Sequence, residues 1–184
     1  MRWIAFLILT YAVLLLQTSL VQFGSFLAGS AGSVQPDLLA LVAAFVAMFA
    51  RNNLDAMLAA WVLGLAMDLT TGGGGVHGSA VGVMPVAYAL AAGAVYRLRE
   101  VFFREKASTR VVLTLLFCLV AHGLWVALQS LLSWRYMTWG AYGRTMVQAT
   151  LVSLYTAALA PLAHWLLDRA EPWLLAPGGG RTRH

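Results

Sequence analysis

Residues 37–69 read DLLALVAAFVAMFARNNLDAMLAAWVLGLAMDL, and the fold is decided inside this stretch. One apolar run begins at Asp37 and continues up to Arg51, a second covers 54–69, and only Arg51, Asn52 and Asn53 separate them. A turn this short forces the two flanking helices into an antiparallel hairpin. With Asn52 as the tip, Asp37 and Asp68 lie almost equally far along the two arms. At about 1.5 Å per residue both are raised roughly 22–24 Å above it. The two carboxylates are therefore expected at one level, near the outer ends of neighbouring helices.

Further apolar runs lie on either side of the hairpin, at 3–21, 80–96, 111–132 and 146–167. A spanning helix needs roughly 20 mainly apolar residues, so the pattern predicts six spans. Composition points the same way. Of 184 residues 61% are hydrophobic and 10% charged, and mean hydropathy is +0.78. A soluble domain carries about a quarter of its residues as charges. An ordinary soluble enzyme, a disordered chain and a disulfide-stapled secreted module are all excluded, since Cys118 has no second cysteine to pair with. The expected fold is all-α: an integral membrane bundle of six transmembrane helices forming one domain over 1–176. A glycine-rich, charged tail at 177–184 is expected to be disordered. The first run follows Arg2, but it is long and no Ala-x-Ala site comes after it. It reads as a retained helix and not as a cleaved signal.

The basic residues orient the bundle. Arg2, Arg51, Arg97, Arg99, Arg104, Lys106, Arg110, Arg169, Arg181 and Arg183 fall on one side, and only Arg135 and Arg144 on the other. Positive charge collects on the cytoplasmic face of short loops, which puts both termini in the cytoplasm. Trp3, Trp165 and Trp173 then fall at the inner boundary and Trp134 and Trp139 at the outer one, as interfacial anchors. The pI near 9.9 expresses this topology and an attraction to anionic lipid. Nucleic-acid binding is not expected, because no basic face is interleaved with stacking aromatics.

Carboxylates within such spans are costly. Asp37 follows Pro36 and can cap the free N–H groups of a helix start. Asp68 sits near a helix C-terminus, where the dipole disfavours an anion. It therefore either accepts hydrogen bonds from the glycine loop at 72–75, pairs with Arg135, Arg144 or His77, or touches a partner or ligand. Gly64 with Ala60, and Gly78 with Gly82, have spacings that allow helices to approach closely. Cys118, His122 and Gln129 on the fifth run, and Gln148, Thr150, Ser153 and Thr156 on the sixth, suit interhelical hydrogen bonding. His122 reads as a satisfied interior group in preference to a proton carrier, and His164 needs no special role. Catalysis finds little to use. No Gly-x-Ser occurs, neither Asp37 nor Asp68 follows Gly-x-Gly, the four His and one Cys are scattered, and the glycine run lacks a phosphate-loop lysine. No catalytic residue, metal or cofactor is expected.

The order Gln35-Pro36-Asp37-Leu38-Leu39, a short apolar helix, a polar turn, Gly64-Leu65-Ala66-Met67-Asp68-Leu69, and a glycine loop to Gly75-Val76-His77-Gly78 resembles the bacterial rod-shape-determining protein MreD family. The likeness covers about residues 35–90. Pro36 and Asp37 match that family's Pro-Asp, and Gly64, Leu65 and Asp68 its Gly-Leu-x-x-Asp. The loop departs from the pattern, with four consecutive glycines from Gly72 and with Gly75 one residue nearer Asp68 than usual. The resemblance implies a non-catalytic inner-membrane scaffold of the cell-elongation machinery. Such a protein binds the single-span protein MreC and is linked through it to MreB filaments, the RodA glycosyltransferase and its transpeptidase, and so supports peptidoglycan synthesis and rod shape. It implies that Pro36, Asp37, Gly64, Asp68, Gly72, Gly75 and His77 form the partner-binding or structural motif. Arg97, Arg99, Arg104, Lys106 and Arg110 then offer a basic cytoplasmic surface to filaments or lipid. The family's fold also resembles that of the S components of energy-coupling-factor transporters. The alternative is accordingly a vitamin-binding membrane subunit with a pocket beneath the outer loops at 70–79 and 134–144.

Overall fold

A computed structural model describes residues 2–23, 34–70, 82–99, 107–132 and 139–174. Among these the chain forms six helices and no strand: α1 (Trp3–Phe23), α2 (Leu38–Phe49), α3 (Asn53–Thr70), α4 (Val83–Leu98), α5 (Ala107–Leu132) and α6 (Trp139–Leu174). The stretches Asn53–Thr70, Ser108–Leu132 and Gly140–Ala170 are long and apolar enough to cross a membrane. The helices differ in length from the apolar runs because hydropathy marks only the apolar part of a helix. Helix α6 begins at Trp139 and takes in Arg144 and Asp168, and α5 takes in Ser108 and Arg110.

Helix α2 is the axis of the bundle. It has 12 residues, everything from Leu39 to Met48 is buried, and each of the other five helices packs on it. A helix that is apolar all round belongs inside a protein, and Ala40, Ala43, Ala44 and Ala47 keep α2 narrow enough to be surrounded. The remaining helices are two-faced. Phe6 of α1, Leu63 of α3, Tyr88 of α4, and Leu113 and Phe117 of α5 turn inward, while Ile4, Leu7, Ile8, Leu58, Trp61, Leu90, Leu119, Leu154, Leu162 and Leu166 are exposed.

The three-residue turn does fold α2 back on α3. Its far side is tied down by α4, where the Tyr96 hydroxyl donates to the Arg51 carbonyl oxygen at 3.0 Å. Gly64 sets the spacing between α3 and α4. A Cβ there would lie 2.8 Å from the Met84 carbonyl oxygen, 2.8 Å from Pro85 Cα and 2.9 Å from Pro85 N. Only a hydrogen fits where the two backbones touch. Pro85 is tolerated because it occupies the first turn of α4, where its missing N–H costs no helical bond.

Candidate functional site

Helix α2 starts inside the bundle, and the polar residues of four other helices converge on that start. A buried helix N-terminus leaves backbone N–H groups that must find partners. Here the Asp37 N–H donates to Thr156 Oγ1 on α6 at 2.9 Å. The Leu38 N–H donates to Gln17 Oε1 on α1 at 2.8 Å, and Gln17 Nε2 donates back to the Pro36 carbonyl oxygen at 3.2 Å. The Ala40 N–H donates to Asp37 Oδ1 at 2.9 Å, so Asp37 is the N-cap. Pro36 has no N–H of its own to satisfy, which suits the position before the cap.

The second carboxylate oxygen reaches further. Asp37 Oδ2 accepts the Tyr88 hydroxyl of α4 and lies 3.2 Å from His122 Nε2 of α5. On the other side of that ring, His122 Nδ1 is 2.9 Å from Ser153 Oγ of α6. Asp37 is 1% exposed, His122 6% and Ser153 0%. The level of Asp37 is thereby fixed. Helix α5 continues for ten residues past His122, a rise of about 15 Å. Asp37 thus caps the start of α2, as Asp68 lies in the last turn of α3, while α5 extends beyond that level. The reason is that α2 is one short helix enclosed by longer ones.

Aspartate, histidine and serine in a row have the composition of a hydrolytic triad, so the geometry has to decide. Ser153 also donates to the Ala149 carbonyl oxygen of its own helix at 2.8 Å. It is fully covered between α5 and α6, so a carbonyl carbon has no approach to its Oγ. The arrangement holds five helices together. Among the described residues no group of three or more His, Cys, Asp or Glu side chains is placed to hold a metal ion.

The other residues singled out in the sequence fall into separate places. Asp68 Oδ2 accepts the Gly82 N–H at 2.8 Å, across the loop that joins α3 to α4. Gly82 has φ of +101°, a conformation that glycine adopts without cost, and Asp68 fixes it just before α4 begins. Gly72, Gly75, His77, Arg104, Lys106 and Arg135 lie outside the described residues. Arg97 is exposed, but Arg99 is not part of an open basic surface. Its Nη1 donates to the carbonyl oxygens of Ala47, Met48 and Ala50 at 3.4, 3.0 and 2.6 Å, and its guanidinium lies 3.7 Å from the Tyr96 ring centre. A cation over the last carbonyls of α2 completes that helix electrostatically. Arg110 is likewise engaged: it meets Asp168 of α6 at 2.6 Å and lies over the Phe49 ring. Of the basic residues singled out in the sequence, Arg99 is therefore buried, Arg110 partly buried and paired, and Arg97 exposed.

Sequence reasoning found Asp37 and Asp68 and assigned Arg99 to a basic surface, but it did not join Gln17 or Tyr88 to this site. Tyr88 stands alone in an apolar run and Gln17 opens the polar trio Gln17-Thr18-Ser19 in another, and those were the available signals. Thr114 and His164 form a further α5–α6 link, 2.9 Å apart, between those of His122 with Ser153 and Arg110 with Asp168. No family model, no curated protein and no solved structure matches the chain.

Proposed function

We propose that this chain is a multi-pass protein of the bacterial inner membrane with both termini in the cytoplasm. It acts as a non-catalytic scaffold of the cell-elongation machinery and binds an MreC-like single-span protein. Through that partner it supports peptidoglycan synthesis by a RodA-type glycosyltransferase and its transpeptidase, together with MreB filaments. The observation that carries this reading is the joint at Pro36 and Asp37. The residues on which the resemblance rests are spent on holding the buried start of α2 to α1, α4, α5 and α6. A rigid bundle with an apolar exterior suits lateral contact with another membrane helix, where association depends on packing and interhelical hydrogen bonds.

The test is a tagged pull-down from membranes solubilised in mild detergent, read by mass spectrometry for proteins and small molecules. A single-span periplasmic coiled-coil protein accompanied by wall-synthesis enzymes is expected. An ATPase pair with its membrane coupling subunit and a bound vitamin-sized molecule would overturn the scaffold and support the transporter subunit in its place.

A further inference from the structure

The exposed face of α6 is apolar for most of its length and ends in a cation. Leu154, Leu162, Trp165 and Leu166 face outward, and Arg169 continues that face at helical spacing. Arg169 is next to last in the stretch Gly140–Ala170 that is long and apolar enough to cross a membrane. Helices that meet inside a membrane do so over small residues, which let the backbones approach. Here branched leucines stand in most of those places, with Ala158 the small residue between Leu154 and Leu162. Acyl chains need no close backbone, so the face fits lipid better than a second helix. From Arg169 back to Leu154 the helix rises about 22 Å, which exceeds half of a hydrocarbon core roughly 30 Å thick. The leucines therefore cover the depth of one leaflet.

The two charges at that end of α6 are used differently. Asp168 meets Arg110 of α5 at 2.6 Å. Arg169 is exposed and lies about 100° further round the helix. Its guanidinium sits over the Trp165 ring, 3.7 Å from the ring centre, and among the described residues no carboxylate meets it. A long cation at a helix end ordinarily extends to water. This one is folded back by one turn onto Trp165, toward the level of lipid phosphates. Stacking occupies the flat face of the guanidinium and leaves its in-plane N–H donors for an anion. Two parallel N–H donors match the oxygens of a phosphate. We propose that Arg169, held on Trp165, is the headgroup site of an anionic phospholipid whose acyl chains lie along Leu154, Leu162 and Leu166. The cytoplasmic leaflet supplies such headgroups. A zwitterionic lipid offers the same phosphate but carries its own cation, which competes with the guanidinium. The site rests on the membrane placement proposed above. It uses no residue of the Asp37 joint, so the scaffold role can fail while the site stands.

The experiment takes the full-length chain from membranes into mild detergent, strips it of lipid, and follows it by native mass spectrometry as phosphatidylglycerol or phosphatidylcholine is added. The first phosphatidylglycerol is expected to bind about fivefold more tightly than the first phosphatidylcholine, the worth of one cation at an anionic surface. Arg169→Gln should abolish that preference. Arg97→Gln, which deletes another exposed cation at the same end of the bundle, should keep it. Excess glycerol phosphate should leave the bound lipid in place, and a photo-reactive leucine at position 162 should cross-link to lipid in membranes. Equal losses in the two arginine variants would mean a diffuse basic surface, and no preference in the unaltered chain would mean that Arg169 meets only water. Displacement by glycerol phosphate would mean a site for free anions. Cross-linking to a second copy or to another protein's span would mean that the face is a protein interface. Each of these four results overturns the proposal while leaving the membrane placement intact, whereas recovery of the chain in the soluble fraction overturns both.

Discussion

Gly64→Ala adds one methyl group at the place where the backbones of α3 and α4 touch. The new carbon would sit 2.8 Å from the Met84 carbonyl oxygen and from Pro85 Cα, and 2.9 Å from Pro85 N. Carbon atoms attract best at about 3.5–4.0 Å, so α4 has to retreat by roughly 0.7 Å. None of the three atoms can swing away, because all belong to backbone, and the Asp68–Gly82 bond anchors that end of α4. Overpacking of this kind costs about 1–3 kcal/mol, and the better helix propensity of alanine returns at most about 1 kcal/mol. A net loss of about 1–2 kcal/mol is expected. Gly93 on α4 supplies the control, since the atoms nearest its Cβ would all belong to the Met57 side chain, with Sδ at 3.4 Å, Cγ at 3.6 Å and Cε at 3.8 Å. That flexible thioether accommodates a methyl, so Gly93→Ala is expected to be neutral or to gain up to about 1 kcal/mol. The two variants should therefore differ by about 2 kcal/mol, on the order of 30-fold in the unfolding equilibrium. Equilibrium unfolding in mild detergent, driven by a denaturing detergent and followed by circular dichroism, measures the difference. Equal midpoints, or Gly93→Ala the weaker of the two, would refute the claim that backbone contact at Gly64 sets the α3–α4 spacing.

Two further perturbations test the ends of the same elements. Arg99→Gln removes the cation from three carbonyl oxygens at the end of α2 and should cost about 1.5–3 kcal/mol, whereas Arg97→Gln, at an exposed position, should stay within about 0.5 kcal/mol. Comparable losses in the same unfolding assay would return Arg99 to the open surface. Asp68→Ala removes the acceptor of the Gly82 N–H, so that amide should exchange with deuterium faster, at a stability cost of about 1 kcal/mol. Unchanged exchange at Gly82 would mean that Asp68 does not fix the start of α4.

Much of this architecture can be read from the one-dimensional pattern. The all-helical class, the antiparallel pairing of α2 with α3, and Asp37 as a cap follow from run lengths, a three-residue turn and the Pro36-Asp37 pair. Gly64 was visible as a small residue, though nothing in the sequence named Pro85 as what it meets. The partners of the polar residues were not legible. His122 and Asp37 are 85 positions apart, and helical periodicity says which face a residue occupies without saying which helix lies opposite. Arg99 shows the same limit from the other side. A cation in a short loop reads as topology, and its place over the last carbonyls of α2 depends on how α4 crosses the hairpin.

Which segments become helices follows from the order of residues alone, because the cost of burying backbone polar groups and the gain from burying apolar side chains are both local functions of composition. The apolar runs predict six spans, and among the described residues three of the helices are long and apolar enough to cross a membrane. The central place of α2 and the enclosure of its first turn come from the packing of the other five helices around it. Once that turn was enclosed, its N–H groups and the Asp37 carboxylate had no solvent to turn to. Gln17, Tyr88, His122 and Thr156 became its partners because packing placed their helices against that turn.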